Sequence, residues 1–368
     1  MIDRLRRWWR AEPVLCVAVL LAAFSSVYSR PQPAYIDFDV LCVLLSLMLV
    51  VAELKQIRFL DWLAVELVNK CCSKRQLELV LLAVTYISSM FVTNDVALLT
   101  FVPLALVIGK TLQMDMERTV VLQTLAANLG SMLTPAGNPQ NLFLYAHYSY
   151  TAARFFAVMA PAAAISLAFI LLLWLRGSDS ALSLNLTSLE RPHAGVLLAM
   201  LVLLAVDIGA VLHWVDKLAA LLLTVAVVFA YDRRRLLCVD YGLLATFAAF
   251  FIFIGNISHS SVVGFLQQSL MGTQAGTYIA GLAASQLISN VPAAMLLAGL
   301  TQEADALLLG VNIGGLGTMI ASMASVISYK LFVAEHPAQA GRYMRTFLYY
   351  NVLGLIVNGM LVWALLLT

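Results

Sequence analysis

Thr93-Asn94-Asp95 and Ser289-Asn290-Val291-Pro292 each interrupt a long apolar run, and a second pair of interruptions follows them in register. Asn128-Leu129-Gly130-Ser131-Met132-Leu133-Thr134 is matched by Asn312-Ile313-Gly314-Gly315-Leu316-Gly317-Thr318, with Asn, Gly and Thr at the same offsets, and Ser322 stands where Asn138 stands in the first copy. Thr93, Asn94 and Asp95 are N-cap types, while Pro139 and Pro292 suit the first position of a new helix. Gly130, Gly137, Gly314, Gly315 and Gly317 permit unwound backbone and close ligand approach. A half-helix that starts at such a break presents N–H groups with no intrahelical acceptor, and their partial positive charge suits an anion. The half-helix that ends there presents free carbonyls, which suit sodium. The four breaks contain no Lys or Arg, so an anion held there would be held by dipoles.

A lone Asn or Ser at a helix start is more often a cap than a ligand, and a Gly or Pro in a membrane helix is often a packing kink. Four interruptions repeated in register fit a binding site better, because paired interruptions in two halves mark the site of a secondary transporter. Asp95, at a tip, either binds a cation or proton or only caps its helix. Asp207 and His213 lie near a helix end and are expected to be solvated at the interface, as are His147, His193, His259 and His336 near loops, while Glu53 should reach the interface at the end of its span.

The elements that position these residues are membrane spans. The 368 residues are 62% hydrophobic and 11% charged, against about a quarter charged in a soluble domain. Many apolar runs approach the ~20 residues that a membrane helix needs. They fall at 12–28, 38–54, 77–92 with 96–109, 118–133 with 139–147, 154–175, 194–211, 218–231, 241–257, 276–289 with 292–300, 306–320 with 322–333, and 346–367. Two mixed stretches, 59–72 and 261–274, fit helices lying in the interface. The five cysteines are scattered without metal-ligand spacing, and no disulfide is expected.

Charge fixes the expected orientation. With the amino terminus in the cytoplasm, and 77–109 and 276–300 as hairpins returning to their starting side, every Lys and Arg except Arg30, Arg154 and Lys217 falls inside. This positive-inside bias is lost if 77–109 crosses the membrane. The fold expected is an all-α polytopic membrane protein, an inverted repeat with nine crossings, two opposed re-entrant hairpins and two broken helices. Residues 1–175 form the first repeat (inward-opening hairpin 77–109, broken helix 118–147) and 176–193 a cytoplasmic linker. Residues 194–368 form the second repeat (outward-opening hairpin 276–300, broken helix 306–333). The location expected is a bacterial-type inner membrane. No hydrolase, zinc-protease or phosphate-loop motif occurs, so no enzyme activity, cofactor or nucleic-acid partner is expected.

At these residues the chain resembles the ion transporter superfamily, which includes divalent anion:sodium symporters, citrate transporters, arsenite permeases and a branch of sodium/proton antiporters. Members carry Ser-Asn-Thr or similar triplets at two opposed hairpin tips, which here read Thr93-Asn94-Asp95 and Ser289-Asn290-Val291. The resemblance covers nearly the whole chain and implies an anion site at Thr93, Asn94, Asp95, Asn138, Pro139, Ser289, Asn290, Val291 and Ser322. It implies sodium near Asn94, Asn128, Gly130, Gly137, Asn290, Asn312, Gly314 and Ala321. It further implies symport of a small anionic substrate with sodium or protons, elevator motion and a homodimer in the lipid bilayer. Asp95 departs from the carboxylate-transporting pattern and resembles the arsenite permeases, so an arsenite/antimonite-type efflux permease is one alternative and a sodium/proton antiporter another.

Overall fold

Within a bilayer the backbone must bond to itself, so apolar runs of this length fold as helices. The computed structural model describes residues 13–182, 186–258 and 271–367. The basic residues Arg4, Arg6, Arg7 and Arg10, His259 and most of the 261–274 stretch lie outside the described residues. The helices of the first half are α1 (Pro13–Tyr28), α2 (Phe38–Gln56), α3 (Phe59–Val68), α4 (Lys74–Val92), α5 (Asn94–Leu112), α6 (Glu117–Ser131), α7 (Pro139–His147) and α8 (Ala152–Leu175). Those of the second half are α9 (Ala194–Val211), α10 (Lys217–Asp232), α11 (Tyr241–Ile257), α12 (Gln274–Ile288), α13 (Asn290–Ala298), α14 (Ala304–Ile313), α15 (Met323–Glu335) and α16 (Ala340–Val362). The protein is thus an all-α polytopic membrane protein, with α4, α5, α8, α9 and residues 337–367 each long and apolar enough to span. The mixed stretch at 59–68 forms α3, bent by 52° from α2.

Hydrogen bonds give the helix directions. Glu78 of α4 meets Arg118 at the start of α6, and Thr85 accepts from Gln123 further along, so α4 and α6 run parallel. Gln123 also donates to the Phe101 carbonyl of α5, and Asn94 reaches Asn128, so α5 returns antiparallel. Residues 74–112 therefore form a helical hairpin whose tip, Thr93, stops level with the break between α6 and α7. The second hairpin, α12 and α13, stands in the same way against α14: the backbones of Gly281 and Gly310 touch, and Gln286 bonds to Gly314.

The two copies oppose one another. Tyr150, just past the end of α7, bonds to Asp305 at the start of α14. At the other end Arg342, at the start of α16, pairs with Asp115 and with Glu117 at the start of α6. A broken helix thus begins at each end and finishes at the other. Arg154 pairs with Asp305 at 3.3 Å and Lys217 with Asp39 at 2.9 Å at what we term the Asp305 end.

Nearly every residue of α6 and α14 is buried, so these two helices are the core around which both hairpins, α8 and α16 pack. At the closest approaches a side chain will not fit. A Cβ on Gly130 would lie 2.4 Å from the Tyr86 carbonyl oxygen, and one on Gly314 would lie 2.7 Å from Ser285 Oγ. The remaining helices pack largely among themselves, α1 with α11 and α2 with α9 and α10. The 176–193 linker is stitched to the α3–α4 turn by Lys74 N–H to Ser180 O and Leu182 N–H to Cys72 O. There the Arg75 N–H holds the exposed Asp179 carboxyl below its ordinary range.

The structure departs from expectation at two carboxylates. Asp207 is wholly buried rather than solvated, because it sits a turn inside α9 facing Ser46 and Thr224. Glu53 is buried and paired with Arg235 rather than reaching the interface.

Both hairpin tips adopt the same unusual backbone, φ 71° and ψ 154° at Thr93 and φ 75° and ψ 153° at Ser289. This region is essentially glycine territory and costs a residue with a Cβ about 1–3 kcal/mol. Thr93→Gly and Ser289→Gly should therefore each raise the melting temperature of the purified protein, against glycine's usual cost; an unchanged or lower value would contradict the strain. The two end clamps should respond unequally. Arg342→Ala strands Glu117, whose side chain is 7% exposed, and should destabilise by about 2–3 kcal/mol. Arg154→Ala breaks a pair that is 59% and 37% exposed and should cost less than about 1 kcal/mol, as denaturation of both variants would read.

Candidate functional site

Each break leaves carbonyls and N–H groups that must find partners away from water. At the end of α4 the Met90 carbonyl accepts from Thr134 Oγ1, and at the end of α12 the Gln286 carbonyl accepts from Thr318 Oγ1 at 3.2 Å. Met90 and Gln286 both stand three residues before their tips, so the threonine correspondence seen in sequence is one of bonding too. The unwound segments are held by amides. Asn141 Nδ2 donates to the carbonyls of Met132 at 3.1 Å and Thr134 at 3.0 Å. In the second copy Gln286 does this, donating to the carbonyls of Gly314 at 2.7 Å and Leu316 at 2.9 Å while accepting from Thr318 N–H.

The two breaks are then joined to each other. Asn128 Oδ1 accepts from Asn94 Nδ2 at 3.1 Å and from Ser322 Oγ at 3.0 Å, so one oxygen ties the first tip to the second broken helix. Reciprocally, Asn138 of the first copy donates to Asn312 Oδ1 of the second at 3.1 Å. Asn312 Nδ2 donates to Asn141 Oδ1 at 2.6 Å. Asn94, Asn128, Asn138, Asn141, Asn312 and Ser322 are all buried. Ser131 Oγ, accepting from Asn138 Nδ2 at 3.2 Å and donating to the Asn128 carbonyl at 3.0 Å, joins them into one polar network beside the hairpin tips, on elements whose ends lie at opposite faces.

Of the residues singled out in sequence, Asn94, Asn128, Asn138, Asn312 and Ser322 are brought together in this network. Thr93 and Ser289 are the turn residues of the tips, and Ser289 Oγ lies 3.5 Å from the Ala321 carbonyl. Asn290 lies against Gly315 but shows no hydrogen bond to a described residue. Asp95 is half-buried, and its carboxylate likewise has no partner among the described residues. Pro139 begins α7 behind the Asn138 cap, while Val291 packs against the apolar core and adds no polar group. Gly137 and Gly314 lie in the unwound backbone, whereas Gly130 is still within α6, packed against the Tyr86 carbonyl. Sequence reasoning missed Asn141 and Gln286; their only signals are an Asn three residues past an N-cap and a Gln three residues before a tip.

Among the Ser, Thr and Asn residues that precede α-helices the tips stand apart, although Arg58, Met116, His193, Glu303 and Gln339 also begin helices without a side-chain cap. Asn138, Ser73, Thr151 and Thr273 cap their helices through the side chain, whereas Thr93, Ser289 and Ser322 make no such bond. At α5 the Asp95 N–H donates to Asn94 Oδ1 at 3.0 Å, the other first-turn N–H groups of α5 and those of α13 are left by the N-cap side chains for something else, and no Lys or Arg belongs to the network. A cavity of about 360 Å³ lies toward the Asp305 end, lined by Tyr35, Phe143, His147, Phe251 and Met295 among others. It follows α7 and α13 outward from the breaks but includes none of the network residues. His147, exposed at the end of α7 and stacked on Phe143 with ring centres 5.3 Å apart, also lines this cavity.

The chain is similar to several known proteins. The inner membrane protein YbiR of Escherichia coli is 30% identical over 334 residues, covering 86% of each chain. An uncharacterized transporter of Methanocaldococcus jannaschii is 29% identical over 334 residues, covering 90% of each. Among solved structures, the Alcanivorax borkumensis YdaH transporter superposes with a TM-score of 0.62 over 96% of this chain and 98% of its own, at 14% identity, a likeness of fold. The chain is a multi-pass membrane transporter and not an enzyme. The family profile of the citrate transporters matches residues 3–324, a stretch that takes in every member of the asparagine network, and the chain belongs to that family.

Proposed function

We propose that the chain is a secondary active transporter of a small carboxylate or inorganic anion, bound between the two hairpin tips and driven by sodium or protons. The observation that carries this reading is the pair of hairpin tips whose N-cap side chains, Thr93 and Ser289, make no bond to their helices, beside a buried amide network that lacks any basic residue. Such N-termini bind anions through oriented N–H groups. The Asn290 amide supplies a further donor, and carbonyls of the unwound segments near Gly130, Gly137, Gly314 and Ala321 supply ligands for sodium. Interlocking of the hairpins, α6–α8 and α14–α16 supports a transport body that slides, elevator-fashion, against α1, α2 and α9–α11, with two copies joined through that scaffold.

The sparse cations Arg154 and Lys217 sit at the Asp305 end, whereas Arg118, Arg75, Arg342 and Arg235 sit toward the other. The positive-inside rule then makes the Asp305 end extracytoplasmic and the amino terminus cytoplasmic, in a membrane of inner-membrane type. The domain boundaries follow: the first repeat to residue 175, a cytoplasmic linker, and the second repeat from 194. A second reading, an arsenite-type permease, is favoured by Asp95, a carboxylate without a cationic partner at a tip where a dianion would be repelled.

Ligand-dependent stability of the purified protein separates these readings, because a ligand at a hundredfold excess over Kd adds about 2.7 kcal/mol. Sodium-dependent stabilisation by a carboxylate, sulfate or phosphate is expected. Stabilisation by arsenite alone would transfer the assignment to a permease, and a response to sodium with indifference to every anion would sink the anion reading in favour of an antiporter. Asn128→Ala should abolish uptake in proteoliposomes and lower stability by about 1–3 kcal/mol, since it strands both Asn94 and Ser322. Undiminished uptake by a folded Asn128→Ala protein would remove the network from the mechanism.

A further inference from the structure

Asp207 lies in α9, one turn before the helix ends at Val211, and its residue surface is 0% exposed. Its Oδ1 accepts from Ser46 Oγ of α2 at 2.6 Å and from Thr224 Oγ1 of α10 at 3.3 Å. Its Oδ2 is buried and has no hydrogen-bond partner among the described residues. The transport reading makes no use of this carboxyl, which belongs to the helices outside the asparagine network. Two hydroxyl groups do not offset the burial of a negative charge, and a carboxylate in that position takes up a proton instead.

Among the described residues no cation bonds to it. The other titratable groups on α2 are Asp39 and Cys42 toward one end and Glu53 and Lys55 toward the other; on α10 they are Lys217, Tyr231 and Asp232. Asp207 is the only titratable residue of α9. Lys217 is engaged by Asp39, and Glu53 and Asp232 by Arg235. None of these groups bonds to Asp207.

A small cleft opens at the Asp305 end of the same helices, although Asp207, Ser46 and Thr224 are not among its walls. It is lined by Val43, three residues before Ser46, and Val211, four after Asp207, and it reaches Asp39, His213 and Lys217 at the Asp305 end. Tyr145 of α7 forms another wall, its own buried hydroxyl also without a partner.

We propose that Asp207 is a proton-binding site separate from the substrate site, holding its proton on Oδ2 and exchanging it with the Asp305 end, where this cleft opens. The step is proton uptake alone: Oδ2 gains a hydron from solvent and the carboxylate loses its charge, with Ser46 and Thr224 donating to the carbonyl oxygen that results.

Infrared spectroscopy of the detergent-purified full chain at neutral pH reads a protonated carboxyl directly through its C=O stretch. The expected band is present in the wild type and in Asp95→Asn, moves to lower frequency in D2O, and is missing from Asp207→Asn. A spectrum unchanged by Asp207→Asn overturns the assignment, and a band that stays fixed in D2O overturns the connection to solvent. If Asp207→Asn does not fold, Ser46→Ala decides: loss of the 2.6 Å bond raises the frequency if the carboxyl is protonated, and an unmoved band rejects the proposal.

Discussion

A helix broken inside a bilayer leaves several backbone groups without partners, each costing on the order of 1–3 kcal/mol if left so. This chain breaks its helices at four places at the same depth, and nearly everything distinctive about it answers that cost. Thr134 and Thr318 cover the carbonyls where the first arms of the hairpins end. Asn141 and Gln286 gather the carbonyls of the unwound loops. Asn128 and Asn312 then exchange bonds with Ser322 and Asn138 of the opposite copy, so that each break is completed only by the other half. The donors left over are those at the two tips, and on the function proposed above the transported anion is their acceptor.

The same accounting explains the strain. Thr93 and Ser289 hold a backbone conformation that neither residue favours, and an isolated hairpin would relax it. Here the turn is over-determined from both sides: Gly130 and Gly314 let the broken helix come against the tip at Ser89 and Ser285, and the threonine braces fix the last turn. The clamps at the two ends, Glu117 with Arg342 and Asp305 with Arg154, each join one copy to the other. Ten helices are thereby bound into one body, whereas the helices around α2 meet it through fewer and mostly apolar contacts.

Much of this was written in the sequence because membrane folding is so restrictive. A polar triplet in an apolar run has few places to go, and the equal offsets from Asn128 to Thr134 and from Asn312 to Thr318 carry over into equivalent bonds. The charge bias likewise matches the separation of Arg154 and Lys217 from most other cations. What stayed hidden depends on which side of a helix a residue faces. Asp207 sits close enough to a helix end to suggest water, yet α2 and α10 flank it with hydroxyls. Asn141 and Gln286 were passed over because equivalent tasks fall to residues at non-equivalent positions in the two copies. Val291 and Pro139, chosen for their place in a motif, prove to support the backbone without adding a polar contact.

The exchange of bonds between copies also sets a timetable for biogenesis. Asn128 and its partner Ser322 are 194 positions apart. At a synthesis rate of about 5–20 residues per second, roughly 10–40 s pass between the emergence of the two from the ribosome. Throughout that interval the first copy sits in or beside the membrane insertion machinery with its amide bonds to the second copy unmade. The nascent first half must therefore be sheltered, by the machinery or by a wetter, looser arrangement of its own breaks, until the second half arrives to close it.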